Sequence, residues 1–296
     1  MNPRTLHRLQ ILGAALLFST GGAAIKATTL TSWQVAGFRS GIAALALILL
    51  VPSARRGWSW HVVPVGLAYA LTLVTFVTAN KLTTSANAIF LQSTAPLYVL
   101  LLSPLLLREK IRRSDVAFMA PVALGLALFF VGAEEPVRTA PDPARGNLLG
   151  VASGLLYALM VMGLRWTGSR GEGSAVPTIV AGNLFAFLLC LPAALPVTGG
   201  GTADWLVVGY LGVFQIAAAY MLLSAGIRHV GALEASTLLL LEPALNPVLS
   251  WIFHGEEPSA WAIAGGVLII GATVLKTWWD GRAVTEPEAA PGNTGG

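Results

Sequence analysis

Three ionisable side chains fall inside long apolar runs, where each needs a chemical reason to be. Glu242 lies about eleven residues into the stretch 231–253, roughly 16 Å deep at a helical rise of 1.5 Å per residue. It precedes Pro243, which has no N–H and leaves a carbonyl free one turn back. Asn246 and Ser250 follow at i+4 and i+8, so the three polar side chains share one helical face. A carboxylate there can exchange a proton or hold a substrate amine; a protonated or paired Glu can equally steady a kinked helix. Arg39 lies about eight residues into 31–51, between Gly37 and Gly41, a spacing that lets two helices approach closely. Its guanidinium cannot lose its charge. It must meet a carboxylate, carbonyls or water, and Glu242 is the only acid at comparable depth, so a structural role is expected. Lys26 shares a face with Ser19 and can either attract a substrate carboxylate or snorkel to the headgroups.

Uncharged polar residues form a second set. Asn87, Thr94 and Tyr98 follow i, i+7, i+11 on one helical face, with Gln92 elsewhere. Thr72 and Thr75 lie one turn apart. Ser153, Tyr157 and Met160 follow i, i+4, i+7, while Gln215 and Tyr220 fall in the middle of their run. A Tyr ring can stack on an apolar or aromatic solute and donate one hydrogen bond. With Ser19, Lys26 and Asn246, these residues are candidates for lining a cavity. Ordinary bonding between helices is the alternative for any single one.

Those residues are carried by elements that composition already describes. Of 296 residues, 55% are hydrophobic and 11% charged, with a mean hydropathy of +0.72. Soluble domains carry roughly 25% charged side chains. The balance excludes a cytosolic enzyme and a disordered chain. A net charge of +4 is too thin to neutralise many phosphates, so no nucleic-acid partner is expected. The single cysteine, Cys190, excludes a disulfide framework and a thiolate metal cluster.

Ten stretches are long enough to span a bilayer: 9–27, 31–51, 61–80, 84–107, 115–132, 146–165, 176–196, 204–225, 231–253 and 259–279. With the N-terminus inside, thirteen of the 18 Lys and Arg fall on inner segments, three on outer ones, and Lys26 and Arg39 within spans. That asymmetry places both termini in the cytoplasm. All nine tryptophans lie near span ends, as an interfacial belt requires. The expected layout is a cytoplasmic N-terminus (1–8), a first five-helix repeat (9–132), an extracytoplasmic linker (133–145), a second repeat (146–279) and a disordered cytoplasmic tail (280–296). Gly146, Gly150 and Gly154 make overlapping GxxxG spacings for tight packing, so a monomer or weak dimer is expected.

The two halves are related. At an offset of 147, Ala88, Leu91, Pro96, Leu102, Ser103 and Glu109 recur as Ala235, Leu238, Pro243, Leu249, Ser250 and Glu256. The matched Pro-to-Glu spacing marks Pro96, Glu109, Pro243 and Glu256 as scaffold positions. Five spans per half, an odd number, turns the second half upside down. Inverted repeats put a two-fold axis in the membrane plane and suit alternating access around a central site. A receptor or assembly scaffold remains the alternative, although it would not need polar residues in several spans facing one cavity. No phosphate-binding loop, metal-ligand pair, GxSxG or HExxH occurs, so ATP-driven pumping and membrane hydrolysis are not expected, and no cofactor is implied.

The run Gly13 to Lys26, Arg39, Ala95-Pro96-Leu97 leading to Leu107-Arg108-Glu109, and Leu241-Glu242-Pro243 leading to Gly255-Glu256-Glu257-Pro258 resemble the drug/metabolite transporter superfamily, in its EamA-type ten-span members. The resemblance covers about residues 9–279. It implies ten helices around a central cavity and secondary transport of small metabolites across the inner membrane. A weaker likeness to YddG-type exporters implies amino acids as solutes, aromatic or otherwise amphipathic. Ala95 stands where some such exporters carry tryptophan, against a strictly aromatic substrate. The expectation is an all-α polytopic membrane protein of two inverted five-helix repeats that exports small solutes, with Glu242 as the proton-coupling candidate.

Overall fold

The computed structural model describes residues 3–106, 113–131, 135–169, 175–226, 229–230 and 232–285. Glu109 and most of the expected tail lie outside them. The first half comprises α1 (Pro3–Ser19), α2 (Gly21–Lys26), α3 (Ser32–Leu50), α4 (Val62–Leu82), α5 (Ser85–Gln92), α6 (Ala95–Leu106) and α7 (Arg113–Val131). The second comprises α8 (Pro143–Ser169), α9 (Val176–Ala194), α10 (Thr202–Tyr210), a π-helical stretch (Leu211–Ala218), α11 (Ala219–Gly226), α12 (Ala232–Leu239), α13 (Leu241–His254) and α14 (Ala260–Thr285). Among the described residues, seven continuous or jointed helices are long and apolar enough to cross a membrane. The shorter apolar segments Asp115–Val131 of α7 and Ala260–Lys276 of α14, with the jointed pair α12–α13, complete ten spans.

Helix starts and stops follow local chemistry. Thr31 and Gln34 form a reciprocal capping box at α3, with Gln34 N–H donating to Thr31 Oγ1 at 3.2 Å and Thr31 N–H to Gln34 Oε1 at 3.1 Å. Thr84 Oγ1 accepts from the Asn87 N–H at the head of α5. Gly255 ends α13 in the left-handed region at φ 66°, where a Cβ would be strained. Two details differ from the expected spans. Helix α1 begins at Pro3, within the segment expected to precede the first span, and α14 runs on to Thr285 beyond the expected end at 279.

The repeat is visible in the elements themselves. Helices α5 and α12 have eight residues each and are separated by the same 147-residue offset at both ends. Each is followed by a break and a half-helix carrying a proline in its first turn, Pro96 in α6 and Pro243 in α13. Proline fits there because first-turn N–H groups have no intrahelical acceptor. The packing is two-fold as well. Helices α3 and α9, and α7 and α14, pair across the axis; α4 packs on α8 as α11 packs on α1, α4 on α9 as the π-helical stretch packs on α3, and α5 and α6 on α8 as α12 and α13 pack on α1. This is the pattern of two inverted five-helix repeats.

Small residues let the helices meet. A Cβ on Gly146 would lie 2.6 Å from Thr83, on Gly150 3.0 Å from Leu91 and on Gly154 2.9 Å from the Leu91 carbonyl. The GxxxG stripe of α8 is therefore filled by this chain's own α4–α5 region. Gly37 and Gly41 meet Cys190 and Phe187 of α9 in the same way. Large apolar side chains such as Leu105, Leu206 and Phe253 point outward, and eight of the nine tryptophans are exposed near helix ends. Such a surface matches a hydrocarbon surround, and the chain is a multi-pass membrane protein.

Candidate functional site

Midway along the bundle, side chains from five spans converge on a cluster of tyrosines. Tyr69 of α4 and Tyr220 of α11 lie with ring centroids 5.9 Å apart, and Phe18 of α1 meets Tyr220 edge-on at 5.2 Å. Asn183 of α9 donates to the Ile179 carbonyl at 2.9 Å and reaches the Tyr69 hydroxyl at 3.5 Å. Tyr157 of α8 is 38% exposed and lies within electrostatic reach of Tyr69.

Two ionisable side chains lie within electrostatic reach of these rings. Arg39 of α3 is 1% exposed and interacts electrostatically with Tyr69, Tyr220 and Cys190. Its Nε has no hydrogen-bond partner. Glu242, in the first turn of α13, acts electrostatically on Tyr157 and Tyr220. Its carboxylate has no ion-pair or hydrogen-bond partner among the described residues. Arg39 does not pair with Glu242, the carboxylate among the partners the sequence leaves open for it; Tyr220 stands within electrostatic reach of both. A guanidinium and a carboxyl group, neither with an ion-pair partner among the described residues, thus share one tyrosine cluster, and ionisable groups at depth need a partner, water or a ligand.

A cavity of about 260 Å³ opens beside this cluster. It is lined by the last turns of α3 (Leu47, Leu50), the first turn of α9 (Val176, Ile179) and α11 (Tyr220, Ser224), and so lies towards the end of the bundle that holds the N-terminus. Tyr220 belongs to both cavity and cluster. The opposite end is stitched shut. Lys26 pairs with Glu256 at 2.6 Å, with both side chains almost wholly buried. Lys26 also donates to the Thr83 carbonyl at 2.8 Å and to that of Thr139, and the Ser85 N–H donates to Glu256 at 3.0 Å. Lys81 donates to the Thr28 carbonyl at 2.6 Å, and Asp204 accepts from the Thr29 and Gly201 N–H groups at 2.6 and 2.8 Å.

The other candidates divide accordingly. Lys26 neither snorkels nor faces the tyrosines, because its partner is Glu256. Asn87 joins a buried network, donating to Asn147 at 3.1 Å and Thr83 at 3.3 Å. Ser19 donates to the Leu16 carbonyl and Thr94 to that of Leu91, each at the break of its span. Thr72 and Thr75 donate back to Ala68 and Leu71 within α4. Ser153 accepts from Gln92 at 2.7 Å and donates to the Thr72 carbonyl at 3.4 Å, tying α8 to α5 and α4. Tyr98 is half-buried, with Thr94 one turn before it. Gln215 packs on Gly21, and Asn246 on Gly22. Sequence reasoning missed Tyr69 and Asn183; the available signal was their spacing, Tyr69 one turn before Thr72 and Asn183 two turns before Cys190.

This arrangement of repeats and central polar cluster is that of a membrane carrier. The chain belongs to the EamA-like transporter family, whose model matches residues 7–131 and 144–278. It is 28% identical over 274 residues to the pseudopaline exporter CntI of Pseudomonas aeruginosa strain UCBPP-PA14, covering 88% of this chain and 92% of that one. It is 27% identical to the uncharacterized transporter YwfM of Bacillus subtilis strain 168, over 92% and 95% of the two chains. A solved crystal structure superposes at a TM-score of 0.61 with 20% identity, covering 93% of this chain and 98% of the other, which shows a shared fold.

Proposed function

We propose that this protein exports small amphoteric metabolites, amino acids or solutes derived from them, by alternating access in the inner membrane. The observation that carries the reading is the unpaired Arg39 and Glu242 flanking one tyrosine cluster. A solute with both a carboxylate and an amine would satisfy the two charges at once, while the rings hold its apolar part. Tyr69, Tyr157 and Tyr220 form the centre of the proposed site, with Tyr98, Gln215 and Asn246 on its margins.

The cavity beside Tyr220 leads to the face that carries the N-terminus. Thirteen of the 18 basic residues on that side in the ten-span reading support its assignment to the cytoplasm, with both termini there. The two repeats, 9–132 and 146–279, rock about the site while the linker 133–145 joins them, and Glu242 exchanges a proton when solute is absent. Filling of the α8 glycine stripe by the chain itself supports a monomer as the working unit.

Counterflow in proteoliposomes tests the function. Vesicles preloaded with one unlabelled amino acid should take up its labelled form, and a panel including aromatic, aliphatic and basic amino acids and pseudopaline identifies the solute. The reading predicts saturable counterflow for at least one amphoteric solute. Uptake no faster than in empty liposomes across the panel would contradict it.

A further inference from the structure

A polar stripe leaves the tyrosine cluster and ends in a tightly packed seam. On α13, Glu242, Asn246 and Ser250 succeed one another at i, i+4 and i+8 toward the stitched end of the bundle. Both polar atoms of the Asn246 side chain are buried without a hydrogen-bond partner among the described residues, as are Ser250 Oγ, Ser85 Oγ and Gln215 Oε1. Helix α2 closes over them: a Cβ on Gly22 would lie 2.4 Å from Asn246 Oδ1 and 2.9 Å from Ser85 Oγ, and one on Gly21 would lie 2.9 Å from Gln215 Nε2. The seam is thus the junction of α2, α5, α13 and the π-helical stretch. Directly beyond it, the Lys26–Glu256 pair joins the end of α2 to the loop after α13, and Glu256 also accepts from the head of α5.

Polar atoms sealed without partners are costly, and a native structure keeps them for a reason. A purely structural junction would be apolar or fully bonded. A junction that opens regains hydration for every one of these atoms, which offsets the loss of the ion pair. We infer that the α2–α5–α13 seam is the exit route on the far face, with Ser85, Asn246 and Ser250 as its wall and the Lys26–Glu256 pair as the latch that holds it closed. This rests on the transport reading above and assigns the path on its far side. Gly22 is small because any side chain there would wedge the closed seam apart.

The test uses Ser85→Cys and, separately, Ser250→Cys in a Cys190→Ala background, reconstituted in proteoliposomes. Each is labelled with a membrane-impermeant maleimide from the far side, and counterflow is measured on the same preparations. The closed seam should protect both cysteines. Adding Lys26→Met should raise the labelling rate roughly tenfold or more, as a minor open state becomes a major one. The exchanged pair Lys26→Glu with Glu256→Lys should restore protection. If Lys26→Met protein elutes as a folded species and both cysteines stay protected while counterflow persists, the seam is not the route. Absence of counterflow in the wild-type protein would instead remove the transport reading itself.

Discussion

Arg39 and Glu242 do not pair, and Tyr220 lies within electrostatic reach of each. A glutamine at position 242 keeps the size and polarity of the side chain but cannot carry a proton. Glu242→Gln should therefore fold normally and transport with a flattened pH profile, read as initial counterflow rates across a pH series. A profile unchanged from wild type would exclude the coupling role. The depth of these two charges was readable from span arithmetic, because charged residues stand out in apolar runs. Lys26 was not readable in the same way. Its partner Glu256 lies 230 positions away in the chain, and only the fold brings the two to 2.6 Å. Tyr69 escaped notice because it lies among apolar residues of α4, with no polar neighbour one turn away except Thr72.

At the scale of elements, the breaks matter more than the spans. Helices α5–α6 and α12–α13 are each interrupted at the same point of the repeat. The matched Pro96 and Pro243 announced a common structure there, but the position of the break also depends on packing. Span 1 breaks at Thr20 with no proline, where the Thr20 hydroxyl donates to the Leu17 carbonyl and shares a hydrogen bond with Tyr210 at 2.9 Å. That contact links residues far apart in sequence, so local patterning could not reveal it. Helix contact also sets the tyrosine cluster. A Cβ on Gly182 of α9 would lie 2.3 Å from Tyr69 Cδ1. Gly182→Ala should push the ring out of place and cost about 1–3 kcal/mol, the usual penalty for overpacking. A thermal-unfolding scan in detergent reads this as a lowered midpoint; an unchanged midpoint would mean that α4 and α9 are not in close contact.

For the whole molecule, the two ends differ. One is bound by a buried ion pair and a set of interhelical hydrogen bonds, while the other offers a cavity of about 260 Å³ beside Tyr220. An inverted repeat allows the two ends to exchange these roles, with the charged tyrosine cluster fixed between them. The central claim is that this cluster recognises both ends of an amphoteric solute. It is tested most directly by competition in counterflow. Wild-type proteoliposomes transporting a labelled amino acid are challenged with the same unlabelled amino acid, with the amine that lacks its carboxylate and with the acid that lacks its amine. The account predicts strong inhibition by the intact amino acid and inhibition roughly tenfold or more weaker by either half, the equivalent of about 1.4 kcal/mol for each lost charge contact. Equal inhibition by all three compounds would contradict it.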